Sequence, residues 1–155
     1  MALVSISLSE PLPAAAPSRG DRILTAGLAG FALYHFALAV FMALAPHAFY
    51  TSVGPFGSYN SHYIRDTATY NAALGVGFAV SIARPAWRVP VLAVATVQFA
   101  LHSLNHLIDV DTAHPAWTGY FDFFSLFAST LLLGALLASA RSRSATSSPA
   151  QGETP

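Results

Sequence analysis

Four stretches of this chain are long and apolar enough to leave water: residues 23–45, about 63–83, 89–108 and 118–140. A helix of about 20 mainly apolar residues crosses about 30 Å of hydrocarbon, so each stretch has the length of a membrane span. The overall balance agrees: 9% of the 155 residues are charged, where a soluble domain carries about a quarter. The expected fold is all-α, an antiparallel four-span transmembrane bundle over residues 21–140. The flanks, 1–20 and 141–155, are rich in Pro, Ala, Ser and Thr and are expected to be disordered tails. The opening Met1-Ala2-Leu3-Val4-Ser5-Ile6 has no basic region and only a short apolar run, so no cleaved signal peptide is expected there.

Orientation follows from the cations. The chain has seven Arg and no Lys. Arg19 and Arg22 precede the first span, Arg84 and Arg88 lie between the second and third, and Arg141 and Arg143 follow the fourth. Only Arg65 falls on the other side, so the positive-inside rule places both termini in the cytoplasm. Arg use without Lys is associated with GC-rich bacterial genomes, and the expected location is the bacterial cytoplasmic membrane, multi-pass. With formal net charge zero there is no basic surface for phosphates, and nucleic-acid partners are excluded. The absence of Cys removes disulfides, thiolate metal sites and thiol chemistry.

Local punctuation supports the span ends. Pro90 sits in a first helical turn, where its missing N–H costs nothing. Small pairs at four-residue spacing, Ala26/Gly30, Ala73/Gly77 and Gly134/Ala138, permit close helix contact. Gly54-Pro55-Phe56-Gly57 specifies a tight turn in the first outer loop, read as an interfacial aromatic loop rather than a lid. Asp122, a turn inside the fourth span, reads as facing outer water beside Tyr120. His47 and His114, each beside a Pro, read as solvent-facing.

The remaining ionisable groups gather toward the outer side. On the third span His102, His106 and Asp109 fall within about 60° of one another, a polar stripe about 10 Å long. On the second, His62 and Asp66 form an i, i+4 pair continued by Tyr70. The short link Arg84–Arg88 makes these spans a hairpin, and facing residue numbers summing to about 172 set Asp66 opposite His106 and Tyr70 opposite His102. Ionisable groups inside a bilayer face a bundle interior or a wet cavity. Three readings compete. The cluster is a structural clamp; or His62, Asp66, His102, His106 and Asp109 bind a metal, zinc or iron given the absence of thiolates; or His35 and His102, at similar depth, ligate a haem. Arg65, Tyr70 and Asn105 are supporting residues.

The four spans, the cytoplasmic termini and the Arg65-Asp66 entry to a Gly-containing second helix, Ala73-Leu74-Gly75-Val76-Gly77, resemble the small bacterial DoxX-like four-helix integral membrane proteins over about residues 22–140. The resemblance implies a membrane bundle without an assigned activity, in families linked to membrane redox processes, and implies no catalytic residues. The expected function is binding of a metal ion or polar ligand by the His/Asp cluster, in a redox or transport assembly. The alternatives are a non-catalytic accessory subunit, whose cluster is a packing clamp, and a proton-coupled carrier. Expected partners are the lipid bilayer and either another membrane protein or a second copy. Catalytic residues, and whether the protein is an enzyme, are undetermined by the sequence.

Overall fold

The computed structural model describes residues 16–146. They form α1 (Arg19–Leu44), α2 (Pro46–Ser52), α3 (Ser61–Ala83), a single 3₁₀ turn at Pro85–Trp87, α4 (Arg88–Ile108) and α5 (Ala116–Thr146). Helix ends fall where side chains satisfy the backbone. Ser18 caps α1 in a capping box: its Oγ accepts from the Asp21 N–H at 3.1 Å, and the Asp21 carboxylate accepts from the Ser18 N–H at 3.3 Å. Ala45 and Arg84, each preceding a Pro, leave helical geometry and end α1 and α3. Asn60 caps α3, its Oδ1 accepting from the N–H groups of His62 and Tyr63.

Two expectations about the flanks and loops are corrected. The expected loop after α1 contains a helix, α2, started by Pro46 at its first position. Helix α5 runs on to Thr146, beyond the expected end at 140, because Arg143 has partners to hold it. Its Nη1 donates to Asp21 at 2.9 Å and to Ser18 Oγ at 3.1 Å, tying the end of α5 to the start of α1. The rest of the two expected disordered tails, 1–15 and 147–155, lies outside the described residues.

Among the described residues three helices are long and apolar enough to cross a membrane: α1, α4 with its preceding turn, and α5. No more than 28% of the apolar stretch of any of them is buried within the bundle. The apolar surface therefore exceeds what the core uses, and Leu33, Leu44, Val94, Ile108 and Leu131 point outward, 60% to 80% exposed. A helix apolar on all sides suits lipid rather than water. Helix α3, at 23 residues, is long enough but more polar.

The helices alternate in direction and associate as two antiparallel pairs, α1 with α3 and α4 with α5. In the first pair the Phe36 ring lies where a side chain on Gly75 would begin, 2.9 Å from an ideal Cβ, so only glycine admits this approach. Phe31 stacks on Phe78 at 5.4 Å beside it. The pairs join at the arginine-bearing end. There Leu24, Leu28, Phe78, Leu92 and Leu133 are fully buried in one cluster, Gly27 lies against Leu136 and Gly77 against Val91. The small pairs that permit close contact are used only in part: Ala26, Gly30 and Ala138 are exposed, and neither Gly30 nor Gly134 has a neighbour within 4 Å.

Gly119, at the start of α5, meets the carbonyl oxygen of Val110 so closely that a Cβ has no room. Gly119→Ala is therefore expected to destabilise by about 1–3 kcal/mol, as overpacking against backbone does. Gly30→Ala, in open space, should be neutral or stabilising through helix propensity. Thermal unfolding of the two variants in the same detergent checks the contrast.

Candidate functional site

Away from the arginine-bearing end the two helix pairs part, and between them lies a cavity of about 650 Å³. All four long helices contribute: Tyr34, His35, Leu38 and Met42 from α1, Ile64, Thr67, Tyr70 and Asn71 from α3, Gln98, Phe99, His102 and His106 from α4, and Phe121, Asp122, Ser125 and Ser129 from α5. Each set repeats at three or four residues, one face of each helix. Phe99 lines the floor; His35 meets it edge-on at 5.7 Å and stacks on Phe78, a core residue, at 5.5 Å. The roof is the segment read as an interfacial loop. Gly57 adopts φ 61°, which favours glycine, and its carbonyl accepts from the Tyr50 hydroxyl at 2.6 Å. This turn sets the Phe56 ring edge-on against His106 at 4.8 Å. Phe49, Val53 and Gly54 complete the cover.

Hydrogen bonds fix the polarity of the wall. Asn71 donates from Nδ2 to the Thr67 carbonyl at 2.9 Å, so its Oδ1 is turned to His35 Nδ1, 2.8 Å away. His35 therefore donates from Nδ1, and its Nε2 is left as an acceptor. On α4 a chain of contacts runs from Gln98 Nε2 to His102 Nδ1 at 3.5 Å and from His102 Nε2 to His106 Nε2 at 3.1 Å. The Gln98 amide can only donate, so His102 accepts at Nδ1 and donates from Nε2, which assigns the proton of His106 to Nδ1. Among the described residues the buried side-chain polar atoms without a partner are His35 Nε2, Gln98 Oε1, His106 Nδ1 and Asp122 Oδ2. All four belong to residues lining this cavity.

The expected His/Asp cluster is divided between inside and outside. His102 and His106 meet each other at the cavity, and Tyr70 lines it. His62 and Asp66 pair with one another at 3.3 Å on the outer surface, their side chains 80% and 61% exposed. The hairpin register is nearly as expected, since Arg88 Nε donates to the Ser81 carbonyl and Gly77 faces Val91. What differs is rotation. Asn71, not Asp66, faces inward, and at 100° per residue Asp66 lies about 140° and His62 about 180° around the helix from it. Asp109 caps α4 and is exposed, as is Asn105. Arg65 is exposed, with its Nε 3.5 Å from the Ala43 carbonyl. Among the described residues no three His, Asp or Glu side chains converge as a metal ion requires, so the expected five-residue metal set does not assemble. Of the two expected haem ligands, both line the cavity, but only His35 presents an unpartnered nitrogen; His102 has contacts at both.

Asn71 and Gln98 were missed by the sequence reading, although Gln98 lies one turn before His102 on the same stripe. Asp122 is corrected: it faces the cavity rather than outer water. His47 and His114 are exposed, as expected. No known protein family, curated protein or solved structure matches the chain.

The His35–Asn71 bond, buried between α1 and α3, is the internal clamp that the sequence reading sought elsewhere. Removing either side chain is expected to cost about 1–2 kcal/mol, with the double variant costing less than the two losses added. Asp66→Asn should leave stability unchanged. A double-mutant cycle by thermal unfolding in detergent measures all of these.

Proposed function

We propose that this protein is a four-span membrane bundle that holds a small, mostly apolar ligand in the cavity between its two helix pairs. The observation that carries this reading is the coincidence of the unpartnered polar atoms with the cavity. A buried polar atom without a hydrogen bond costs about 1–3 kcal/mol, and the four such atoms lie on residues of one apolar chamber. A few polar side chains in an apolar pocket of a few hundred Å³ are the usual form of a small-molecule site. Helix α3 is the fourth crossing in this proposal. It runs antiparallel to α1 over most of its length, from Arg65 beside Ala43 to Phe78 beside Phe31, so it shares the depth of a helix apolar enough to span.

Both termini are cytoplasmic in this proposal, supported by the six Arg at one end of the bundle, and the cavity then opens toward the outer leaflet. The same span pattern and the Arg65-Asp66 entry to α3 support kinship with DoxX-like bundles and a bacterial cytoplasmic membrane location. A second reading, an accessory subunit that docks on another membrane protein or a second copy, is favoured by the outward-facing Ala26 and Gly30.

The absence of Cys makes a labelling test direct. Ser58→Cys and His114→Cys are expected to react with a membrane-impermeant maleimide in right-side-out vesicles, and Ala86→Cys only after permeabilisation. Reaction of Ala86→Cys in sealed vesicles overturns the fourth crossing. For the ligand, native mass spectrometry of protein purified in mild detergent is expected to show a co-purifying small molecule. That adduct should disappear in Ser129→Trp, which places an indole in the cavity, provided that thermal unfolding shows the variant to be folded.

A further inference from the structure

The cavity wall has a chemical bias that narrows its occupant. Resting on the ligand-binding reading above, we infer that the ligand is an organic ammonium: an amphiphile carrying one protonated amine on an apolar body.

Two independent observations carry this. The first is the sense of the hydrogen-bonding groups. His35 Nε2, Gln98 Oε1 and the Asp122 carboxylate Oδ2 are acceptors, and only His106 Nδ1 offers a proton. A ligand whose head only accepts, such as a ketone or an ester, answers one of the four. These atoms are buried just behind the cavity surface, so small side-chain rotations must bring them to a ligand; an ammonium, which only donates, is the head that suits an excess of acceptors. The second is charge. No Arg lines the cavity, and its single acidic residue is Asp122. Neither ion pair found among the described residues involves Asp122, so its carboxylate has no cation of the protein's own. A carboxylate in a low-dielectric chamber without a partner is costly, and an ammonium ligand supplies the missing charge. The aromatic walls favour the same occupant, because ring faces attract cations and repel anions. Tyr34 on α1, Tyr70 on α3, Phe99 on α4 and Phe121 on α5 place such rings on all four sides. A metal cation does not fit this description, since no three ligating side chains converge among the described residues.

The test uses three probes of one shape and different heads: 4-phenylbutylamine, 4-phenylbutan-1-ol and 4-phenylbutyrate. Saturable binding to the full chain in nanodiscs of zwitterionic lipid is measured by saturation-transfer NMR with competition. The amine is expected to bind at least tenfold more tightly than the alcohol, and the acid not to bind saturably. Asp122→Asn should lower amine affinity at least tenfold while leaving the alcohol unchanged, and Asp122→Glu should retain the preference for the amine. Equal binding of amine and alcohol, saturable binding of the acid, or no saturable amine binding overturns the inference. Because wild type alone decides the head-group preference, the result stands even if a variant fails to fold. If all three probes bind alike and all are lost in Ser129→Trp, the ligand site survives and the ammonium assignment falls. If Ser129→Trp changes nothing, both fall.

Discussion

In hydrocarbon a polar atom has no water to fall back on, so every such atom directed into this bundle must find a partner within the protein or in whatever fills the space beside it. His35 shows how the protein meets this demand. One ring nitrogen is bonded to Asn71, which itself bonds back to the Thr67 carbonyl, and the ring is held between Phe78 and Phe99. The bond fixes which nitrogen carries the proton and so what the second nitrogen offers the cavity. A residue that looks like a clamp from α1 is a wall of the site from α4. The imidazole that joins α1 to α3 is also part of the cavity wall.

The division of the bundle into a packed half and an open half follows from where bulk and polarity lie along the helices. Toward the arginine-bearing end the inward positions are Leu24, Leu28, Phe78, Leu92 and Leu133, which fill the space between the pairs. Toward the other end they are His35, Asn71, His102 and Asp122, which leave it open. The Asp21–Arg143 pair and the Gly27–Leu136 contact fasten the pairs at the packed end. Opening on the far side therefore requires no loss of core contacts. The roof is the short helix α2 and the turn after it, set against α4 by the contact of Phe56 with His106; it shares no residue with the core cluster, which makes this the face through which exchange costs least.

Much of this was legible in the chain. Helix positions follow from apolar length and from Pro46, Pro85 and Pro90; the hairpin register follows from the short link at Pro85–Trp87. Each polar stripe is visible alone: Gln98-His102-His106 at i, i+4, i+8 and Asp122-Ser125-Ser129 at i, i+3, i+7. What does not follow from one helix at a time is which stripes face each other. Rotation of α3 is decided by the fit of Phe36 over Gly75 and the Asn71 bond, and charge has little say in it. His62 and Asp66 mislead because an i, i+4 pair satisfies itself along its own helix and needs nothing across the hairpin. The extent of α5 was hidden for a related reason. Arg143 ends a helix that its composition alone would fray, through a contact with residues more than a hundred positions away.

Cavity and polarity are then two aspects of one arrangement. The four unpartnered atoms on α1, α4 and α5 all belong to residues that line the gap, where the pairs part rather than pack. Each costs about 1–3 kcal/mol as it stands. In the ligand-binding reading proposed above, an occupant that hydrogen-bonds to these residues offsets that cost, and the excess of acceptors over donors selects its head group. In that reading, replacing the polar stripe by apolar residues of similar size removes both the cost and the means of holding the occupant.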